Sequence, residues 1–139
     1  MIVTDGEQRS ALAVVRSLGA AGYRCVVTSS SRASIASGSR FAARTVRVPN
    51  ALEQPTEFAD AIVALVPAER AAVVLPIAEQ SLLAILPIRL QLSPAIVPFP
   101  DLAVFSALTD KERLLKEASR LGIPIPAQDR KSTRLNSSH

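Results

Sequence analysis

Four side chains stand where an α/β chain could use them for chemistry: Glu7, Arg32, Glu79 and Lys111. Glu7 belongs to the turn Thr4-Asp5-Gly6-Glu7-Gln8-Arg9-Ser10. A dinucleotide-binding turn needs G-x-G-x-x-G so that backbone can approach a pyrophosphate, and only Gly6 is present, so NAD binding is disfavoured. A polar loop at a helix N-terminus can hold an anion through its N–H groups. Asp5 and Glu7 oppose an anion and favour an amine or a metal-linked ligand, with turn and capping chemistry as the plain alternative. Arg32 follows Ser29-Ser30-Ser31, where a Rossmann enzyme reads the adenosine ribose; without the glycine fingerprint a solvated loop is the better reading. Glu79, after Pro76-Ile77-Ala78, sits at or near a helix N-cap. There it either compensates the helix dipole or orients a substrate amine or hydroxyl. Lys111 follows the good N-cap residues Thr109 and Asp110. A cation in the first helical turn opposes the macrodipole, so a lysine there calls for a task such as gripping phosphate.

The elements that must position these residues follow from periodicity. Residues 1–4 read as a buried strand, and residues 10–21 carry Leu12, Val15, Leu18 and Ala21 at helical spacing, with Gly22 at the end. Residues 25–28 form a second strand, which completes a right-handed βαβ unit. Residues 29–40 read as a loop around one short helix, and residues 45–48 as an edge strand ending at Pro49. A helix over 55–68 presents Phe58, Ile62, Leu65 and Val66 on one face. Residues 72–76 make a central strand, 79–92 a helix, and 95–99 a fifth strand. Short helices follow over 102–108 and 110–121, the last closed by Gly122. The fold class is therefore α/β: a doubly wound, mainly parallel five-strand Rossmann-like sheet plus a C-terminal linker helix. In such sheets ligands bind outside the carboxyl ends of the strands, which selects residues 5–8, 29–32, 76–81 and 99–101.

Composition narrows the classes. Apolar residues make up 48% of the 139, with no Trp and one Tyr, so the core must be aliphatic. The formal charge is +4, but residues 129–139 carry Arg130, Lys131 and Arg134 against Asp129; without them 13 basic residues face 11 acidic ones. No basic stripe is interleaved with aromatics, so no nucleic-acid partner is expected. No apolar run reaches the ~20 residues that span a bilayer, so no membrane partner is expected either. Cys25 lies in an apolar run and reads as an inert buried thiol, and a single Cys allows no internal disulfide. With no visible signal peptide, this fits a cytoplasmic protein.

The tail breaks the pattern. Residues 129–139, Asp-Arg-Lys-Ser-Thr-Arg-Leu-Asn-Ser-Ser-His, match codon for codon the translation of a common short-read sequencing adapter. We therefore expect an artefactual tail, with natural sequence cut near Gln128, and no metal or catalytic role for His139.

Upstream of that tail, "FSALTDKERLLKEASRLGIPIP" resembles the joint of ATP-grasp enzymes, where "DK", an amphipathic helix and "GIPxP" lead from a pre-ATP-grasp domain into the ATP-grasp fold. "VTDGEQRSALAVVRSLGAAGYRCVV", "SRFAARTVRVP" and "VVLPIAEQSLLAI" resemble the carboxylate–amine ligase branch close to carbamoyl-phosphate-synthase-like proteins. The resemblance covers residues 1–128. It implies a pre-ATP-grasp domain over 1–108, a linker helix and the start of the ATP-grasp fold over 109–128, and the artefactual tail over 129–139. It implies a parent enzyme that phosphorylates a carboxylate with ATP and Mg2+ and lets an amine attack the acylphosphate, this piece alone being inactive. Lys111 then approaches the nucleotide, and Glu7, Arg32 and Glu79 contact small-molecule carboxylate or amine substrates. No residue here is expected to be catalytic or to bind metal, because the Gly-rich loop and the metal ligands lie beyond Gln128. A homo-oligomer is compatible with this reading. The competing class is a free-standing Rossmann-like module that binds a nucleotide or small metabolite.

Overall fold

The computed structural model describes residues 1–127, so the expected artefactual tail lies outside the described residues. In chain order the elements are β1 (Ile2–Val3), α1 (Arg9–Ala20), β2 (Cys25–Ser29), β3 (Ala42–Arg47), α2 (Pro55–Glu69), β4 (Val74–Leu75), α3 (Glu79–Ile85), a 3-10 segment (Leu86–Leu92), α4 (Leu102–Thr109) and α5 (Lys111–Arg120). They form two compact units, Met1–Leu102 and a second that begins at Ala103. Among the described residues no helix is long and apolar enough to cross a membrane.

The first unit is a four-stranded, all-parallel sheet in the order β3-β2-β1-β4. The central strands are aliphatic because helices or loops cover both faces. Ile2, Val3, Val27 and Val74 have no exposed surface, and Val26 has 1%. Burying each such side chain is worth about 1.5–3 kcal/mol. On one face Ala11 and Val15 of α1 pack with Val3, Cys25 and Val27, and Ala36 of the β2–β3 connection joins them. The expected α2 face is also the observed one, with Phe58, Ile62, Leu65 and Val66 all buried. Gly22 (φ 91°) and Gly122 (φ 72°) take the left-handed conformation that ends a helix.

The fifth strand does not form. Ile96 donates to the Ala72 carbonyl and accepts from the Val74 N–H, both at 2.9 Å, and pairing stops at this one bridge. The next rung of that ladder would need the N–H groups of residues 98 and 76, and both are proline. Arg89 instead donates to the carbonyls of Val97 (2.6 Å) and Phe99, fixing the segment by side chain. Proline also divides the helix expected over 79–92. Pro87 cannot donate to the preceding turn, and the α-helix passes at Leu86 into the 3-10 segment.

β3 begins earlier than its alternating pattern indicates. Cys25 pairs with Ala42 and Val26 with Arg44, so Ala43 is the extra residue of a bulge. At the opposite end of the sheet from the strand-end loops, Glu69 closes α2 against Arg24 (2.9 Å) and Arg44, with its side chain only 3% exposed. An acidic residue at a helix C-terminus opposes the dipole, and the two guanidinium groups offset that.

Candidate functional site

The first βα turn is shaped by packing. Gly6 donates to the Thr28 carbonyl (2.9 Å) and accepts from the Ala36 N–H (3.0 Å). A Cβ at Gly6 would lie 2.6 Å from Ser34 Oγ and 2.8 Å from Val27 Cγ1. Glycine is thus required here for close approach between loop and strand.

Asp5, which precedes it, adopts φ 60°. Its Oδ2 accepts from the backbone N–H groups of Ile77 (3.1 Å) and Ala78 (2.8 Å) and from the Thr4 hydroxyl, while Oδ1 accepts from Ser81 Oγ at 2.6 Å. A carboxylate from the β1 loop therefore binds the N–H groups of the two residues before α3 and the side chain of Ser81 in its first turn. This places the protein's own negative charge beside the helix start.

Glu7 organises the end of β2. Its Oε1 accepts from Ser29 Oγ (2.7 Å), the Ser30 N–H (2.7 Å), Ser30 Oγ (3.0 Å) and the Ser31 N–H (3.1 Å). Partial burial pushes its pKa up, but the bonds from Ser29, from backbone and from Ser30 together outweigh that and hold it below the ordinary 4.5. Glu7 is therefore ionised at neutral pH, with Oε1 fully engaged and no hydrogen bond to Oε2 among the described residues.

These loops frame a cleft of about 260 Å³ at the carboxyl ends of the four strands. Buried Thr28, Val48 and Phe58 form its floor, and exposed Glu7, Gln8, Leu52 and Gln80 its rim. Asp5 and Glu7 are among its lining residues, and no lysine or arginine is. An adjoining recess shares Ser30, Val48, Pro49 and Asn50 and adds Arg47, whose Nε donates to the Ser30 carbonyl at 3.2 Å. Thr28 Oγ1 is the one buried polar side-chain atom left without a hydrogen-bond partner among the described residues.

Of the residues singled out from sequence, Glu7 lines the cleft and Arg32 and Glu79 do not. Arg32 is exposed on the loop after β2. Glu79 is exposed at the first position of α3, with its neighbours Ala78 and Gln80 lining the cleft instead. Lys111 is exposed at the first position of α5 in the second unit, where Asp110 Oδ1 accepts from the Arg113 N–H at 3.1 Å. Three of the four strand-end loops expected from sequence contribute to the cleft. Residues 99–101 do not, and residues 48–52 after β3 take that place. The lining residues outside the expected loops are Thr28, Phe58 and the run 48–52. A better signal was available in Val48-Pro49-Asn50, a strand end followed by turn residues on the same sheet edge.

No protein-family model matches the chain. No curated protein matches it either. Among solved structures, it is similar to the "Biotin Carboxylase domain of single-chain bacterial carboxylase", with a TM-score of 0.62 and 21% identity. The alignment covers 95% of this chain and 31% of that one, so the chain spans about a third of the neighbour's length. The Rossmann-like α/β fold described above is thus one that a biotin carboxylase domain also carries.

Proposed function

We propose that this chain is the substrate-side part of an ATP-dependent ligase of the ATP-grasp type, which joins a carboxylate to an amine or a related nitrogen nucleophile through an acylphosphate. The supporting observation is the fold likeness to a biotin carboxylase domain, itself an ATP-grasp enzyme, across 95% of this chain and 31% of the other. The order "DK", helix, "GIPIP" over residues 110–126 supports the same reading from sequence. The carbamoyl-phosphate-synthase-like branch, a cytoplasmic setting and a homo-oligomer belong to the proposal on sequence grounds alone.

ATP and Mg2+ are the cofactors this reading implies. The described residues do not fit as their main site: no group of three or more His, Cys, Asp or Glu lies close enough to hold a metal ion. No phosphoryl-transfer step is assigned to them, since such a step needs its charge neutralised. What they offer is an acceptor-side cleft on a rigid sheet and, in the second unit, Lys111 as a nucleotide contact. Glu7 acts in the cleft; Arg32 and Glu79 stand as peripheral substrate contacts.

The test is made on the whole ligase that this reading implies. It should release ADP only when carboxylate and amine are both supplied, and hydroxylamine should trap the activated carboxylate as a hydroxamate. Lys111→Ala should weaken ATP binding about tenfold or more, the loss of one charge-assisted contact. A protein that binds a nucleotide or metabolite without consuming ATP would favour the free-standing binding module instead.

A further inference from the structure

The net charge of +4 conceals an uneven spread along the chain. Between Glu7 and Glu53 stand seven arginines and no acidic residue, and all seven are exposed. Arg40, Arg44 and Arg47 fall on or just before β3, the border strand of the sheet. Glu69 is the acid that reaches this border, and Arg44 and Arg24 share its single carboxylate, so one positive charge is left over. Arg47 donates its Nε to the Ser30 carbonyl and makes no ion pair among the described residues, although Glu53 lines the same recess. Arg40 lies over the Phe41 ring, 4.8 Å from its centroid.

The backbone of the same border is open. Val48 donates to the Ser29 carbonyl at 2.9 Å. Successive residues of a strand alternate in direction, so residues 44, 46 and 48 turn their N–H and C=O groups toward β2, and Thr45 and Arg47 turn theirs outward. Among the described residues no backbone hydrogen bond reaches those outward groups, and residues 43–45 and 47 are exposed. An open edge with a fixed sign of charge suits strand addition by a chain of the opposite sign. The same arginines repel a second copy of β3. A nucleic acid has use for the charge but not for the outward carbonyls, which its phosphates would oppose.

We propose that the β3 border binds an extended acidic segment of a partner protein as an added strand. The segment's backbone pairs with Thr45 and Arg47, and its carboxylates meet Arg40, Arg44 and Arg47. This surface runs along the side of the sheet: residues 43–45 line neither the strand-end cleft nor its adjoining recess, so the surface stands whether or not the ligase reading does.

Binding is measured on the full 139-residue chain by NMR titration with a capped peptide of alternating Glu and Val. The amide resonances of Thr45 and Arg47 should shift and their hydrogen exchange should slow, while Gln80 in the cleft stays in place. A peptide with Lys for Glu should not bind. The Glu–Val peptide N-methylated at its three central residues keeps its charge but has both backbone edges blocked, and it should bind at least about tenfold more weakly. This comparison leaves the protein untouched, so it does not depend on a variant folding. The double variant Arg40→Ala, Arg47→Ala should weaken the unmodified peptide about tenfold, as fits two exposed charges, and Arg40→Lys, Arg47→Lys should restore most of it. Absence of binding, shifts confined to the cleft, equal binding of the N-methylated peptide, undiminished binding by the double alanine variant, or a single-stranded DNA that binds as tightly as the peptide would each overturn the proposal.

Discussion

Asp5 combines two demands that few residues meet together. Its backbone is left-handed, which aspartate and asparagine tolerate better than most, and its carboxylate ties down the entry to a helix more than 70 residues away in sequence. Asp5→Ala should lose about 2–3 kcal/mol in urea denaturation, because it leaves the Ala78 N–H and Ser81 Oγ without their acceptor, leaves the Ile77 N–H only its 3.2 Å bond to Thr4 Oγ1, and adds backbone strain. Asp5→Asn should lose about 1 kcal/mol, since it keeps the backbone preference and one acceptor oxygen. Equal losses for the two would mean that the charge, not the hydrogen-bond geometry, does the stabilising. From sequence, Asp5 and Glu7 could be placed in a strand-end loop but not assigned partners. Their acceptor roles depend on Ile77, Ala78 and Ser29–Ser31 arriving from other βα units, and local pattern carries no information about that. Arg32 follows a strand end and Glu79 starts a helix on the ligand-facing edge, and neither position says which way its side chain faces.

At the scale of elements, α1 is seated through Gly19. A Cβ there would fall inside contact distance of Phe41 Cβ and 2.8 Å from Cγ. These atoms lie close to the backbone and cannot swing aside, unlike the far end of a long side chain. Gly→Ala inside a helix ordinarily gains about 1 kcal/mol. Here Gly19→Ala should instead cost about 1–3 kcal/mol, read as a lower midpoint in the same denaturation experiment. A gain would show that Phe41 repacks freely. Elements with one dominant signal were legible in the sequence: the continuous aliphatic runs of β1 and β2, the buried stripe of α2, and the glycine stops at 22 and 122. β3 was blurred because the bulge at Ala43 breaks its alternation. The fifth strand failed because residues 95–99 are apolar enough for a strand but the next rung falls on Pro98 and Pro76, which have no N–H. A hydropathy pattern sees the first property and not the second.

For the molecule as a whole, burial is unevenly spread. α4 and α5 contain no buried residue, and Leu114, Leu121 and Ile123 are 42%, 60% and 53% exposed. Exposed apolar residues grouped in one unit favour association. Sedimentation velocity should therefore show a mass that rises with concentration, and the double variant Leu114→Glu, Leu121→Glu should restore a monomer. A single monomer boundary for the unmodified chain at high concentration would count against this surface as the cause. Helical spacing is readable from sequence alone, but how much of the face it leaves uncovered is seen only in the structure.

The prolines beside β4 have an outcome beyond ending one ladder. Residues 94, 98 and 100 interrupt the outermost segment with positions that offer no amide hydrogen, so a foreign chain cannot zip along that margin. On the far border, β3 carries Arg44, which is paired with Glu69, and Arg47, whose exposed positive charge discourages stacking of like upon like. Both borders of the sheet are thus guarded against cross-β growth, one by missing donors and the other by repulsion.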